Sequence, residues 1–507
     1  MRIIDSQREE EWNQMAGRFL RLFKPLARFL PEAKPPGKRV GFNEKLLWTA
    51  LALIIYFIMA EIPLYGLQAG QGLEMSYLRV IFASNRGTLL ELGIGPIVTA
   101  GLILQLLAGS GMIGVDMSNP EDRGAFTTAS KFFSILLTGV QASAYIIGGV
   151  YGALPTSTGI VIFSQLLLAG IIIILLDEMI QKGWGIGSGI SLFIMAGVAQ
   201  RILWDSFGLT IGLGDQKSYG AFPALFQTIA RSEPVFSIDL FYNQTSNQLV
   251  PAIPNAFIRP QNLPSLLGFF TTIVVFIVVI YVEGVRVELP VSHANYRGYR
   301  GRYPIKLLYV SNLPVIFTSA LFANVYFFSQ LLWSNFNPTN SNVFLNLLGT
   351  YAWVDQGGSS QPQPTGGLVY YVISPRSILD VALNPARAII FAALMVSFAV
   401  IFSLTWLEVG GLGPSTVARQ LVDSGMHIPG YRRSTRPIEM VLKRYIPAVT
   451  ILGGIVVGLI AALADFFGVF GTGMGVLLSV GIIYQYYQQL MQERVAEMYP
   501  AFRRFLG

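Results

Sequence analysis

Ten apolar stretches punctuate the 507-residue chain, near 46–66, 92–109, 132–153, 157–176, 186–204, 265–282, 305–333, 386–407, 446–467 and 471–492. Each is essentially uncharged and roughly 18 residues or more, the helical length that crosses about 30 Å of hydrocarbon. The pattern predicts an all-α polytopic membrane protein with ten transmembrane helices, and an even number puts both termini on one side. The spans fall into two sets of five, and two short runs recur in the same order in each set. Pro96-Ile-Val-Thr-Ala-Gly-Leu-Ile-Leu-Gln105 is answered by Pro314-Val-Ile-Phe-Thr-Ser-Ala-Leu-Phe-Ala-Asn324, and Gly185-Ile-Gly-Ser-Gly-Ile190 by Gly471-Thr-Gly-Met-Gly-Val476. Five is odd, so the second copy enters the bilayer from the opposite side. This is an inverted-topology repeat, and such repeats place their functional site between the halves.

Composition agrees: 53% of residues are hydrophobic and 12% charged, which excludes an ordinary soluble globular domain. Charge sets the orientation. With the N-terminus inside, the cytoplasmic segments 1–45, 110–131, 177–189, 283–306, 408–445 and 493–507 hold 27 of the 35 Lys and Arg. The organisation expected is a basic segment 1–45, an N-terminal half 46–206, an external loop 207–264, a C-terminal half 265–493 and a cytoplasmic tail 494–507. The C-terminal half carries cytoplasmic loops 283–306 and 408–445 and an external loop 334–384. No cleavable signal precedes the first span. Within the basic segment Trp12, Met15, Phe19, Leu22, Phe23 and Leu26 recur at helical spacing among Arg18, Arg21, Lys24 and Arg28, as in an amphipathic helix lying in the membrane interface or packed in the cytoplasm.

The external loops are rich in Pro, Ser, Asn, Gln and Gly and read as irregular surface structure. Asn243-Gln-Thr245 in the first is a glycosylation triplet, a chance match or a used site. Between spans 1 and 2, residues 72–82 show helical apolar spacing with Glu74 and Arg79. They are too short and polar to span, and fit a helix resting on the external rim or one folded back into a cavity. The cytoplasmic loops are dense in arginine: Arg286, Arg297, Arg300 and Arg302, then Arg419, Arg432, Arg433, Arg436 and Arg444. Arginine's planar fork suits phosphate, so these loops are a candidate docking surface for RNA or acidic partners.

The chain has no Cys, which excludes disulfide and thiol chemistry. His293 and His427 are its only histidines, without metal-ligand spacing, and no cluster of Asp, His or Glu suits catalysis; neither metal nor cofactor is expected. Glu61, Asp177, Glu283, Glu408 and Asp465 sit at span ends, so the midplane charge that an ion-coupled transporter commonly uses is missing. Thr99, Gln105, Gln141 and Asn324 are polar within spans, as interhelical packing glue or as the members of a gate.

These residues resemble a known family. Leu92-Gly-Ile-Gly-Pro-Ile-Val-Thr-Ala-Gly101, the turn Gly183 to Gly189 with Ile190-Ser-Leu-Phe-Ile194, and Tyr303-Pro-Ile-Lys-Leu307 leading into Ser311-Asn-Leu-Pro-Val-Ile316 are similar to SecY. So are Arg286-Val-Glu-Leu-Pro290, Leu442-Lys-Arg-Tyr-Ile-Pro447 and Gly475-Val-Leu-Leu478, and the likeness is greatest to the archaeal and eukaryotic branch. The resemblance implies the central subunit of the Sec protein translocon, a non-enzymatic channel whose two halves close like a clamshell around a central pore. It moves unfolded secretory polypeptides across the membrane and releases apolar segments sideways into the bilayer.

By the same resemblance Ile94, Val98, Ile186, Ile190, Ile316 and Leu478 form the apolar pore ring. Gly72, Leu73, Met75, Tyr77, Leu78, Val80, Ile81 and Phe82 belong to a plug, in place of the rim helix. Thr99, Gln141 and Asn324 sit at the lateral gate, where the position of Gln141 is acidic in some relatives. Arg297, Arg300, Arg302, Arg432, Arg433 and Arg436 dock the ribosome and its rRNA. The implied partners are SecE-type and Sec-beta-type small membrane subunits, signal sequences, nascent polypeptides and membrane lipid. The implied location is an archaeal plasma membrane, with both termini cytoplasmic. On repeat and composition alone, an inverted-repeat secondary transporter is the competing reading.

Overall fold

The computed structural model describes residues 25, 30–38, 40–66, 87–109, 113, 120–148, 151, 155–210, 217–236, 240–243, 248–251, 256–259, 263–293, 300–308, 313–356, 359–427 and 434–498. Every predicted span is a helix. They are α1 (Phe42–Glu61), α2 (Gly95–Gly109), α3 (Pro120–Ile147), α4 (Thr156–Met179), α5 (Gly189–Phe207), α6 (Leu266–Gly284), α7 (Leu313–Phe336), α8 (Pro385–Val409), α9 (Thr435–Phe466) and α10 (Gly473–Met498). Eight are long and apolar enough to cross a membrane by length and composition. The other two are α2, which has 15 residues, and α10, whose second half turns polar from Tyr484 to Arg494. The lipid-facing sides carry exposed apolar residues such as Ile54, Ile160, Ile277 and Ile389. The chain is thus an integral multi-pass membrane protein.

Local chemistry sets the helix ends. Pro385 opens α8, where no backbone N–H is needed, and Ser265 caps α6 by accepting from the Gly268 N–H at 3.3 Å. A π turn, Ile180–Trp184, ends α4, with Gly183 at φ +102° reversing the chain. α8 and α9 approach closely because Gly454 and Gly458 present bare backbone to Val400 and Val396.

The sequence repeat has a structural counterpart at two corners. Asp177, near the end of α4, accepts the Ile190 N–H at 2.9 Å, and Asp465, near the end of α9, accepts the Gly473 N–H at 2.5 Å. Each aspartate caps the N-terminus of the following helix, whose first N–H groups have no intrahelical partner. α5 and α10 then pack together, and each one's N-terminal end meets the other's C-terminal part. Tyr486 of α10 donates to the Ser188 carbonyl at 2.9 Å, and Asp205 of α5 accepts the Gly471 N–H at 3.4 Å. An antiparallel pair with reciprocal ends is what inversion of one half against the other requires.

The loops hold more regular structure than composition suggests. Strands β1 (Leu240–Asn243) and β2 (Gln248–Pro251) form a hairpin in the long connection between α5 and α6, after a helix at Ala221–Ala230. β3 (Arg286–His293) and β4 (Arg300–Lys306) form a second hairpin, and β5 (Thr350–Gln356) and β6 (Ser359–Gly366) a third. β7 (Met426–His427) adds to the edge of β3. Asn243 of the glycosylation triplet ends β1. The predicted amphipathic helix lies almost wholly outside the described residues. Just after it, the chain is pinned to the end of α4: the Ala33 N–H donates to Glu178 at 3.1 Å and Trp184 Nε1 donates to the Lys34 carbonyl at 2.8 Å.

Candidate functional site

Four of the six predicted ring positions lie on the central helices α2, α5, α7 and α10. Val98 and Leu478 are buried in the main core cluster, and Ile190 and Ile316 pack against that cluster while keeping accessible surface. Ile94, immediately before α2, is fully buried in the same cluster, and its carbonyl accepts the Ile97 and Val98 N–H groups at 3.1 Å. Ile186 is buried in the turn before α5, its N–H held by Thr49 Oγ1 of α1 at 3.0 Å. The Pro96 and Pro314 motifs start α2 and α7 at corresponding places, so the repeat delivers Val98 and Ile316 from opposite halves to one core.

α2 lies along a seam, packed on α3 within its own half and on α7 and α8 of the other. Asn324 Nδ2 crosses the seam to donate to Thr99 Oγ1 at 3.0 Å, and also donates to the Ala320 carbonyl at 2.7 Å. Gln141 is buried on α3. One residue pair therefore joins two predicted gate positions directly, while for Gln141 the structure gives burial alone. Two turns from Asn324 the seam becomes aromatic: Phe317 of α7 lies 6.0 Å from Phe402 and 6.1 Å from Trp406 of α8, centroid to centroid. These rings line a small void with Leu102, Gln105 and Leu106 of α2. Sequence reasoning missed the three aromatics, since a Phe or Trp inside a span carries no signal separating a seam from the lipid face.

The predicted plug residues, Gly72 to Phe82, lie outside the described residues. The base of their segment is described. Pro63 and Thr88 form an antiparallel bridge, with the Leu64 N–H donating to the Gly87 carbonyl at 2.7 Å and the Leu89 N–H to the Ile62 carbonyl at 3.0 Å. The two described ends flanking residues 67–86 are thus held together at a clasp, just before Ile94 and α2. On the far side, the Tyr65 N–H donates to Gln165 of α4 at 3.0 Å.

The two arginine-rich loops, 283–306 and 408–445, are one unit. Ser292 pairs with His427 and His293 with Met426, so β7 joins loop 408–445 to the hairpin of loop 283–306. Beneath lies a separate core, with Leu289 and Ile305 of the hairpin, Val417 and Leu421 of the helix Pro414–Asp423, and Ile438 and Leu442 of α9. Arg302 is exposed and donates to Glu288 at 2.7 Å, which holds that carboxylate below its ordinary range. Arg436 is exposed at the start of α9. Arg300 occupies β4 opposite Ser292, and Arg297, Arg432 and Arg433 lie outside the described residues. Among the described residues no group of three or more His, Asp or Glu could hold a metal ion.

Comparison with known proteins gives the arrangement its family. The SecY family model matches residues 88–487, and the model for the plug domain of Sec61p matches 54–87, a range that contains the predicted plug residues. The fold superposes on a solved protein-conducting channel with a TM-score of 0.75, at 36% identity over 94% of this chain and 98% of that one. It also superposes on Sec61 in the canine ribosome-channel complex from the endoplasmic reticulum, with a TM-score of 0.73, 36% identity and the same coverage. The yeast Ssh1 complex bound to the yeast ribosome matches at 27% identity and a TM-score of 0.73, over 96% of this chain and 97% of that one. With a family model spanning most of its length, and ten helices in two inverted halves meeting at α5 and α10, the chain belongs to the SecY family.

Proposed function

We propose that this chain is the pore-forming subunit of a Sec-type protein-conducting channel, passing unfolded secretory polypeptides between its halves 46–206 and 265–493 and releasing apolar segments through the α2–α7 seam. The observation that carries the reading is the seam itself. Across the two halves it is joined by a neutral hydrogen bond, Asn324 to Thr99, and by aromatic packing of Tyr145 on α3 against Phe327 on α7, 5.0 Å between centroids, and it runs beside the aliphatic residues of α2, α5, α7 and α10. Aliphatic walls exclude water and ions by dewetting and offer no fixed partner that would retain one passing sequence over another. A secondary transporter would instead need a polar substrate or ion site at the midplane, and no Asp, Glu, Lys or Arg stands there. The work asked of these residues is sealing and parting, with no bond made or broken.

The channel sits in an archaeal plasma membrane with both termini in the cytoplasm, an orientation supported by the concentration of Lys and Arg in the segments assigned to that side. The cytoplasmic unit built on β3, β4 and β7 presents Arg302 and Arg436, with Arg300, Arg297, Arg432 and Arg433 in the same loops, to ribosomal RNA. Two relatives of this chain are found in ribosome-bound complexes, which supports that use. SecE-type and Sec-beta-type single-span subunits accompany the chain, the first bracing both halves, and Gly72 to Phe82 plug the external funnel.

The test uses the absence of native cysteine. A single cysteine at Ile190 (I190C) is expected to form a disulfide with a cysteine in a ribosome-stalled secretory chain, only when the signal sequence is intact and not at the lipid-facing control Ile389. Absence of that crosslink despite ribosome docking would overturn the assignment. The seam makes a second prediction. An interhelical hydrogen bond in a membrane contributes about 0.6 to 2 kcal/mol, so Asn324→Ala should shift the gate about 3- to 30-fold toward open. It should then admit weakened signal sequences in a translocation assay. Thr99→Val should do the same, and the double variant should add little; fully additive effects would show that the two residues act separately.

A further inference from the structure

Just beyond α7, the chain builds a small knot from asparagines. Trp333 Nε1 donates to Asn340 Oδ1 at 2.9 Å, Asn340 Nδ2 to the Tyr351 carbonyl at 3.0 Å, Asn337 Nδ2 to Asn346 Oδ1 at 2.8 Å, and Asn346 Nδ2 to the Asn340 carbonyl at 2.8 Å. Asn337 Oδ1 accepts the Asn342 N–H at 3.0 Å, and Asn342 Oδ1 caps the next helix by accepting from the Phe344 N–H at 3.1 Å. The side chains that would ordinarily keep such a loop in water are spent on one another.

The knot displays the helix Val343–Leu348, whose Val343, Phe344 and Leu347 are 73%, 84% and 70% exposed. Positions 343, 344 and 347 share one helical face. Large apolar residues clustered at that exposure mark an interaction surface rather than scattered surface hydrophobes. Two facts choose the occupant. The patch continues the apolar belt of α7, whose Phe328 and Phe336 are exposed and which ends six residues before the helix begins. Residues 307–354 also contain no Asp, Glu, Lys or Arg, so no charge holds this region in water or awaits a charged protein partner. We propose that the Val343–Leu348 face is an interfacial anchor, seated in the headgroup and upper acyl region of the leaflet at that end of α7. Trp353, exposed on β5 and 5.7 Å from Trp333, flanks it as aromatic residues do at membrane interfaces. Because α7 forms one side of the seam, the anchor fixes the depth of a gate helix.

The test labels a single cysteine at Phe344 (F344C) with an environment-sensitive fluorophore in the full channel. The channel is reconstituted in vesicles of phosphatidylcholine and phosphatidylglycerol carrying a spin-labelled lipid. References are Ile389→Cys on the lipid face of α8 and Asp423→Cys on the exposed cytoplasmic helix. At 344, a spin label near the headgroup should quench within about twofold of Ile389, and aqueous iodide about fivefold or more below Asp423, as expected for a side chain sunk about 5 to 10 Å into the interface. Leu347→Cys, an independent exposed position on the same face, should give the same result. Iodide quenching equal to that at Asp423 would place the face in water, and shielding from both quenchers would place it under a protein; either overturns the anchor.

Discussion

Gly473→Ala is expected to abolish most of the folded protein, whereas Gly124→Ala, on the exposed start of α3, is expected to leave it intact or slightly more stable. A Cβ at Gly473 would strike the Ala461 carbonyl oxygen, lie 2.8 Å from Ala464 Cβ and sit 3.0 Å from the Asp465 nitrogen. None of these is the mobile end of a side chain. The corner would have to open, and opening it removes the Asp465 carboxylate from the Gly473 N–H that it accepts. Overpacking of about 1 to 3 kcal/mol and a stranded buried carboxylate of similar cost or more reinforce each other. At Gly124 nothing lies within 4 Å, and replacing an exposed helical glycine by alanine gains up to about 1 kcal/mol. The inverted copy should behave alike, because a Cβ at Gly189 would lie 2.6 Å from Asp177 Cα and 2.9 Å from its Oδ1. Monodisperse yield in detergent and the midpoint of thermal unfolding measure both. Equal midpoints for G473A and G124A would show that the corner is not fixed by this contact.

Those corners also show where sequence reasoning stopped. Asp177 and Asp465 read as charges at span ends, and their role as caps was hidden because the receiving N–H lies past a turn, at Ile190 and at Gly473. A signal was present nonetheless, since each aspartate shortly precedes one copy of the repeated glycine motif. The ten helices were legible because an uncharged run of that length has few alternatives to crossing a bilayer. Their ends were less so. α3 starts at Pro120 and α9 at Thr435, before the apolar runs at 132 and 446, since Pro-Glu-Asp-Arg and Thr-Arg-Pro-Ile-Glu continue as helix with polar side chains.

The loops defeated the reading for a different reason. β6 is Ser-Ser-Gln-Pro-Gln-Pro-Thr-Gly, with no apolar alternation and Thr365 its one β-branched residue, and is a strand only through its pairing with β5. β7 has two residues, too few for any pattern, yet it unites the two arginine-rich loops. Of the seam, the polar residues within spans were visible, but the pairing of Thr99 with Asn324 depends on how α2 meets α7. The repeat aligns Thr99 with Thr318 instead, so local pattern could not have found it.

Making the proposed ring polar should open the channel to ions. Ile190 and Ile316 are the ring positions to change, because both keep accessible surface where Ile94 and Val98 are buried, so trimming them removes little packing. With aliphatic side chains, a narrow passage is unfavourable for water, and an ion entering it loses its hydration shell without replacement. Two serines at these positions supply hydroxyls that hold water by donating and accepting hydrogen bonds, and a wetted passage conducts. In vesicles containing the purified channel, Ile190→Ser/Ile316→Ser should raise resting ion flux by about tenfold or more, the effect of lowering a barrier by about 1.4 kcal/mol. Ile190→Leu/Ile316→Leu, which preserves the aliphatic wall, should leave flux near that of the unaltered chain. The comparison separates wetting from loosening: a leak in both variants would mean that packing at α5 and α7 closes the channel. An unchanged flux in a well-folded serine variant would mean that the seal lies elsewhere along the axis. Only a leak confined to the serines identifies the aliphatic surface itself as the barrier.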